Sequence, residues 1–319
     1  MKTIFVINPK AGQGKGIDKL IKAINKITEE NKYDTEIYIT KAIGDAEEFV
    51  KEYCKTNGAA RFIACGGDGT LNEVVNATMG CDGAEAGVLP MGTGNDFRRN
   101  FDSSCDFYDI EKQITSDTEK CDIIRYTTTV NGETVVRYGV NMFNIGFDCN
   151  VADMTSDMKK KPLVSGSLAY LISIFATLIK KKGANLKIEL DGKTVHKGPL
   201  LLCALANGVF CGGGIKSNPN ASLHDGKIDV NIVKNITRIG LLKLLPYYMK
   251  GTHINLSKIE KIITMTKCQK LTLTPAEDKI RICVDGEITD AGKTEFEVVN
   301  SAFNFVVPSL KTVKSTLVN

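Results

Sequence analysis

Residues Gly66-Gly67-Asp68-Gly69-Thr70-Leu71-Asn72-Glu73 follow directly on the apolar run Phe62-Ile63-Ala64-Cys65. Three glycines in four positions let a backbone turn sharply and approach another group closely. A single carboxylate, Asp68, sits inside the turn, and Leu71, Val74, Val75 and Thr78 behind it share one helical face. A strand, a glycine turn and a helix N-terminus form a phosphate site, because N–H groups and the helix dipole point at the anion. An acid in that turn would repel phosphate unless a cation stood between them, so the stretch points to a metal–nucleotide site. The plainer alternative is a structural β–α turn with Asp68 as N-cap.

The same rhythm extends on both sides. Ile4–Ile7 is a short apolar run, and Ile17, Leu20, Ile21, Ile24 and Ile27 mark an amphipathic helix. Thr35–Thr40 alternates like a strand, and Ala46, Phe49, Val50, Tyr53 and Cys54 mark a second helix. After the helix Thr70–Met79 comes another strand, Ala86–Leu89, then Pro90-Met91-Gly92-Thr93-Gly94-Asn95-Asp96 and a short helical turn. Such βαβ alternation predicts a parallel sheet with helices on both faces. Ligands in these sheets bind beyond the carboxyl ends of the strands.

From about residue 126 the texture changes to strands: Val135–Asn141, Leu186–Leu190, Leu200–Ala206, Ile228–Val233, Ile259–Met265, Leu271–Thr274 and Ile280–Val284. Asn131-Gly132, Asp191-Gly192 and Asp285-Gly286 favour tight reversals. Helical segments interrupt near 165–181 and 237–250. The expectation is an α/β nucleotide domain over 1–125 and a mainly antiparallel β-domain over 126–294. The Glu295–Val307 tail reads as one or two strands that could join either domain.

The chain has 319 residues and a net charge of +4, too mild to argue for nucleic acid. None of its ten cysteines forms a CxxC pair, and several sit in apolar runs (Cys65, Cys203, Cys283), which fits a reducing cytosol. Met1-Lys2-Thr3 leads straight into a strand without the longer apolar core of a signal peptide. The longest nearly apolar stretch, Leu168 to Ile179, is well short of the roughly 20 residues a membrane span needs.

Besides the opening octet, three elements could carry chemistry. Asn8-Pro9-Lys10-Ala11-Gly12-Gln13-Gly14-Lys15-Gly16 follows the first strand, but its spacing matches neither GxxxxGK[ST] nor GxGxxG. Gly92-Thr93-Gly94-Asn95-Asp96 has Arg98 and Arg99 behind it. Each could be a plain turn with a cap, yet three glycine-rich turns at three strand ends line one edge of one sheet. In the second half, Ser222-Leu223-His224-Asp225-Gly226-Lys227 and Val284-Asp285-Gly286-Glu287 read by themselves as hairpins with acidic turns.

Together these five motifs, in this order over nearly the whole chain, resemble the diacylglycerol kinase catalytic-domain family in its soluble bacterial lipid-kinase branch. The Gly-Gly-Asp-Gly-Thr element alone is shared with NAD kinases and resembles phosphofructokinases. The resemblance implies a phosphofructokinase-like nucleotide domain followed by a β-sandwich domain, with ATP in a cleft between them and part of 295–319 returning to the first domain. It implies ATP contacts at Asn8, Pro9, Lys10, Ala11, Gly12, Thr40, Gly66, Gly67, Asp68, Gly69, Thr70, Leu71, Asn72 and Thr93. Asp68 would join a water network around the nucleotide-bound Mg²⁺, with Asp96, Arg99 and Asp122 as charged partners. Asp225, with the carbonyls of Ser222 and Lys227, would hold a second, structural Mg²⁺. Glu287 matches the general base. Gln13 stands where relatives often carry lysine, Lys15 comes two residues later, and Lys161 is an approximate match for a basic residue near the 165–181 helix.

The expectation is therefore a kinase that moves the γ-phosphoryl of ATP to a lipid hydroxyl, diacylglycerol first, with phosphatidylglycerol or another lipid as alternatives. An NAD kinase and a non-catalytic nucleotide- or lipid-binding regulator compete. The first fits poorly with the Asn-Pro loop and the Asp225 motif, the second with retained Asp68 and Glu287. Expected partners are a lipid substrate and a peripheral membrane surface, with no nucleic acid and room for a homodimer. The expected location is the cytoplasm with peripheral membrane association. Lys159-Lys160-Lys161 and Lys180-Lys181-Lys182 bracket the Leu168–Ile179 stretch, which could rest on an anionic membrane or pack as a core helix.

Overall fold

The computed structural model describes residues 1–14, 16–130, 132–147 and 183–309. The expectations at Lys15, Lys159–Lys161 and Lys180–Lys182, and for the 165–181 helix, lie outside the described residues. The chain divides into two units, one of residues 1–92, 101–120 and 303–319, the other of residues 93–100 and 121–302.

In the first unit strands and helices alternate: β1 (Thr3–Ile7), α1 (Ile17–Asn31), β2 (Thr35–Ile39), α2 (Asp45–Asn57), β3 (Arg61–Gly66), α3 (Asp68–Thr78) and β4 (Glu85–Pro90), then α4 (Ile110–Thr115). The strands pair in parallel, β1 between β2 and β3, with β4 beyond β3. β1 and β3 are buried along their whole length, as a sheet covered on both faces requires. Phe5, Ile7, Ile63 and Cys65 meet Ile24 of α1 in the core. The order 2-1-3-4 reverses direction between β1 and β3, so the switch point of the sheet lies at the carboxyl ends of those two strands.

The second unit is an antiparallel β-sandwich, and every pairing with a defined register inside it is antiparallel. Its strands are β5 (Thr118–Val130), β6 (Glu133–Gly139), β7 (Met142–Gly146), β8 (Ala184–Leu190), β9 (Lys193–Ala206) and β10 (Ile228–Lys234). Helix α5 (Arg238–Lys250) intervenes before β11 (Ile263–Cys268), β12 (Lys270–Pro275), β13 (Ile280–Val284), β14 (Glu287–Ala291) and β15 (Thr294–Val306). The long β9 pairs with β8 along Lys193–Leu200, with β10 along Leu200–Ala206 and with β7 along Leu202–Ala206. A core of Phe143, Ile188, Leu205, Val230, Leu273 and Phe296 fills the sandwich.

β15 serves both units. Its Lys270-facing portion pairs with β12, and beyond Ala302 the strand runs parallel to β4, with Asn304 opposite Glu85. The tail is thus one strand. Two other expectations change. The strand expected at Ile259 begins at Ile263, because Lys258 is left-handed (φ 62°) and Ile259–Lys261 form a 3₁₀ turn. Ile259 and Ile263 are both buried. The run read as Val135–Asn141 is β6, and a second strand, β7, follows it unannounced.

None of the described cysteines is in a disulfide. Burial pushes the thiols of Cys65 and Cys203 up and that of Cys268 up to about 12, so they pack as small apolar groups and not as nucleophiles.

Candidate active site

The carboxyl ends of β1, β3 and β4 bring three turns together. The Asn8 N–H donates to the Cys65 carbonyl at 3.0 Å, extending the β1–β3 ladder past the strand ends. The Thr40 N–H donates to the Ile7 carbonyl at 2.9 Å and draws in the end of β2. On the other side the Met91 and Gly92 N–H groups both donate to the Gly66 carbonyl, at 2.8 and 3.2 Å. The Asn8 side chain does two things. Its Nδ2 donates to Thr70 Oγ1 at 3.2 Å, and its Oδ1 accepts from the Lys10 N–H at 3.0 Å, which shapes the Asn8–Gly12 turn.

Glycine is needed where these backbones meet. A Cβ on Gly67 would stand 3.3 Å from the Gly92 Cα. One on Gly12, whose φ is +58°, would stand 3.0 Å from the Met91 carbonyl oxygen. One on Gly66 would overlap Thr70 Oγ1. The edge is a cradle that side chains would fill, and α3 aims its N-terminus into it. Gly67 is the N-cap, so Asp68 is the first helical residue and not the cap. Its carboxylate lies in the positive first turn, where an anion is stabilised. The donor set fits a nucleotide phosphate with a divalent cation held by Asp68.

Not every expected contact faces that edge. Leu71 is 2% exposed and its N–H is spent on the Gly67 carbonyl, so it belongs to the helix packing. Asn72 is also buried, with its Oδ1 accepting from Asn76 Nδ2 at 3.0 Å. Thr70 and Ala11 are buried as well, whereas Pro9, Gly67, Asp68 and Gly69 are half-buried and Lys10 and Gly12 exposed. Glu73, the last residue of the octet, accepts from the Gly44 and Ala46 N–H groups at 2.9 and 3.2 Å and so caps α2.

Thr93, Asp96 and Arg99 fall in the second unit. Buried Asp96 accepts the Gly213 N–H with both oxygens, at 3.1 and 2.8 Å, and lies 3.6 Å from Arg99 Nε. Arg99 Nη2 donates to the Gly94 carbonyl at 3.3 Å. The loop that receives them, Cys211-Gly212-Gly213-Gly214, carries three consecutive positive-φ glycines, a signal present in the sequence but not taken up.

Asp122 lies elsewhere in the unit. It is 2% exposed, and its carboxylate accepts from the Gly226 N–H at 2.7 Å and the Ser301 N–H at 2.8 Å. Through Gly226 it organises the Ser222–Lys227 loop. In that loop the Ser222 Oγ accepts from the His224 N–H, and Asp225 Oδ1 accepts from the Lys227 N–H at 3.1 Å. Asp225 Oδ2 takes the Lys267 ammonium at 2.7 Å, which also donates to the Asn220 carbonyl at 2.9 Å and lies 3.0 Å from Asp229 Oδ2.

This donor set does not fit a second Mg²⁺. The Lys267 ammonium already bridges the two carboxylates, and a divalent ion on Asp225 would have to displace it. Burial pulls the Lys267 pKa down, but Asp225 and Asp229 outweigh that and leave it raised. Burial pushes the Asp229 carboxyl up, against the pull of Lys267. No cluster of three or more metal-ligating side chains occurs among the described residues.

Asp285 and Gly286, at φ 48° and 97°, form the two-residue turn between β13 and β14. The Asp285 carboxylate accepts from the Val140, Asn141 and Met142 N–H groups at 2.7, 2.9 and 2.8 Å. Glu287 opens β14, paired with Val284 and exposed.

Residues 2–126 match the family model described as the diacylglycerol kinase catalytic domain, and residues 141–307 match the YegS C-terminal NAD kinase beta sandwich-like domain. The chain is 30% identical over 315 residues to a diacylglycerol kinase of Bacillus subtilis, covering 96% of each chain. It is 32% identical over 285 residues to a diacylglycerol kinase of Staphylococcus aureus, covering 89% of this chain and 85% of the other. A solved structure titled a putative diacylglycerol kinase from Bacillus anthracis superposes with a TM-score of 0.71 at 23% identity, over 96% of this chain and 97% of that one. With these matches spanning both units, the chain belongs to the diacylglycerol kinase catalytic-domain family.

Proposed function

We propose that this protein is an ATP-dependent lipid kinase whose acceptor is the hydroxyl of diacylglycerol, giving phosphatidic acid and ADP. The observation that carries the reading is the glycine cradle at the β1/β3 switch point, where α3 begins with Asp68 as its first residue. The relatives named diacylglycerol kinase support the choice of acceptor.

In this reading the Asn8–Gly12 turn and the first turn of α3 bind and orient the phosphates of ATP. Bound Mg²⁺ would neutralise charge on the transferring phosphoryl group, held by Asp68. Glu287 takes the proton of the lipid hydroxyl as its oxygen bonds to the γ-phosphorus, and the bond from that phosphorus to the β–γ bridging oxygen breaks to release ADP. General base catalysis of this kind contributes typically ~10²–10⁴-fold. Arg99, fixed by Asp96 and Gly94, serves as a positioning cation. No step uses a metal at Asp225. The protein would meet its substrate as a cytoplasmic protein peripherally associated with a membrane surface.

The test is a panel with radiolabelled ATP and Mg²⁺, offering diacylglycerol, phosphatidylglycerol and a sphingoid base in micelles, and NAD in solution. Labelled phosphatidic acid is expected. Label only in another lipid changes the acceptor and leaves the class, while conversion of NAD to NADP overturns the reading. ATP binding with no acceptor labelled would make the chain a binding regulator.

A further inference from the structure

Helix α5 has two apolar faces. Leu241, Leu244 and Tyr248 are buried, and the first two pack on Phe147, Leu201, Leu202, Val233 and Ile263. The opposite face carries Ile239, Leu242 and Tyr247 at 66%, 44% and 46% exposure, with Pro246 also exposed among them. Ile239, Leu242 and Pro246 stand three and four residues apart, so they form one stripe. Exposed large apolar side chains gathered on one helix face mark an interaction surface.

Along this stretch of chain the charge has one sign. Lys234, Lys243 and Lys250 are exposed, and no acidic residue occurs between Asp229 and Glu260. A helix with outward apolar residues flanked by lysines lies in the headgroup region of a membrane, its apolar side chains among the acyl chains and its ammonium groups on phosphates. No helix among the described residues is long and apolar enough to cross a membrane, so any contact there is a surface one.

We infer that α5 is a docking surface for an anionic lipid bilayer, with Ile239, Leu242, Pro246 and Tyr247 entering the interface and Lys234, Lys243 and Lys250 pairing with headgroup phosphates. The surface draws its purpose from the lipid-kinase reading, since it would deliver the enzyme to a substrate that does not leave the bilayer. Its evidence is separate, because none of these residues belongs to the glycine cradle.

The test is vesicle sedimentation without nucleotide, using phosphatidylcholine vesicles with and without phosphatidylserine. The wild type should bind the serine-containing vesicles and release them as salt rises. Lys243→Gln/Lys250→Gln should weaken partitioning about thirtyfold, from about fivefold per lysine. Ile239→Ser/Leu242→Ser should weaken it by roughly tenfold or more. Thermal midpoints matching the wild type show that the variants are folded. Equal binding to both vesicle types, or variants that bind like the wild type, overturns the inference. So does a wild-type dimer that Ile239→Ser/Leu242→Ser turns into a monomer, which would assign the face to a second copy. Wild-type activity on short-chain diacylglycerol in neutral micelles reads the kinase assignment separately. Without that activity the assignment fails while vesicle binding still decides the surface.

Discussion

The edge of the first unit and the loops of the second set the same dipeptide in different places. At Asp68-Gly69 the acid opens α3, beside the close approach of the Gly67 and Gly92 backbones. At Asp285-Gly286 the acid instead consumes backbone N–H groups, three of them from Val140 to Met142. Asp122, Asp191 and Asp96 do likewise with Gly226 and Ser301, with Gln269 and Lys270, and with Gly213. A carboxylate that accepts N–H groups from a distant stretch of its own chain holds a loop, while one in the first turn of a helix among glycines stands where phosphate sites form. The two kinds of aspartate should separate cleanly on substitution.

The largest effect is expected at the chemical groups. Glu287→Gln should lower kcat by ~10²–10⁴-fold while the urea midpoint stays put, because the residue is exposed at the start of β14. Asp68→Asn should also lower turnover, and the deficit should respond to Mg²⁺ concentration. Full turnover in Glu287→Gln would remove the base from the scheme.

Next in size are the loop-holding acids. Asp285→Ala strands three N–H groups and should cost about 3–5 kcal/mol in urea unfolding. Asp122→Ala, buried and holding two, should approach that. If either variant unfolded like the wild type, the contrast with Asp68 would collapse.

Gly12→Ala is intermediate. It forces a left-handed residue against the Met91 carbonyl and should cost about 1–2 kcal/mol, with the Michaelis constant for ATP rising as well. A change in stability alone would detach that turn from the nucleotide.

Lys267→Met should give the smallest shift, about 1 kcal/mol, because the ammonium is partly exposed. Its raised pKa means that its stabilisation is complete below the ordinary lysine value of about 10.4 and fades as pH climbs through the higher folded value. The wild type should therefore lose Tm faster than Lys267→Met at strongly alkaline pH. Mg²⁺ without nucleotide should leave the wild-type Tm unchanged, and a clear rise would restore a metal at Asp225.

The β–α alternation of the first unit and its glycine turns were legible, since period and turn chemistry are local. β7 was not, because Met142-Phe143-Asn144-Ile145-Gly146 is buried throughout and so lacks alternation. The cradle could be read from its glycines, but the burial of Leu71 and Asn72 depends on where α3 begins. Lys267 was invisible as the partner of Asp225 because it lies 42 residues away on β11, and only the fold joins them.

β15 also constrains how the chain is made. The outer edge of β4 is covered by residues that lie 220 positions later, as the bond from Asn304 to Ala84 records. At ~5–20 residues per second a ribosome takes roughly 10–40 s to deliver them. Throughout that interval the nascent first unit carries an open, apolar sheet edge, the kind that recruits strands from other chains. Synthesis of this protein thus includes a waiting period that ends only when its last strand arrives.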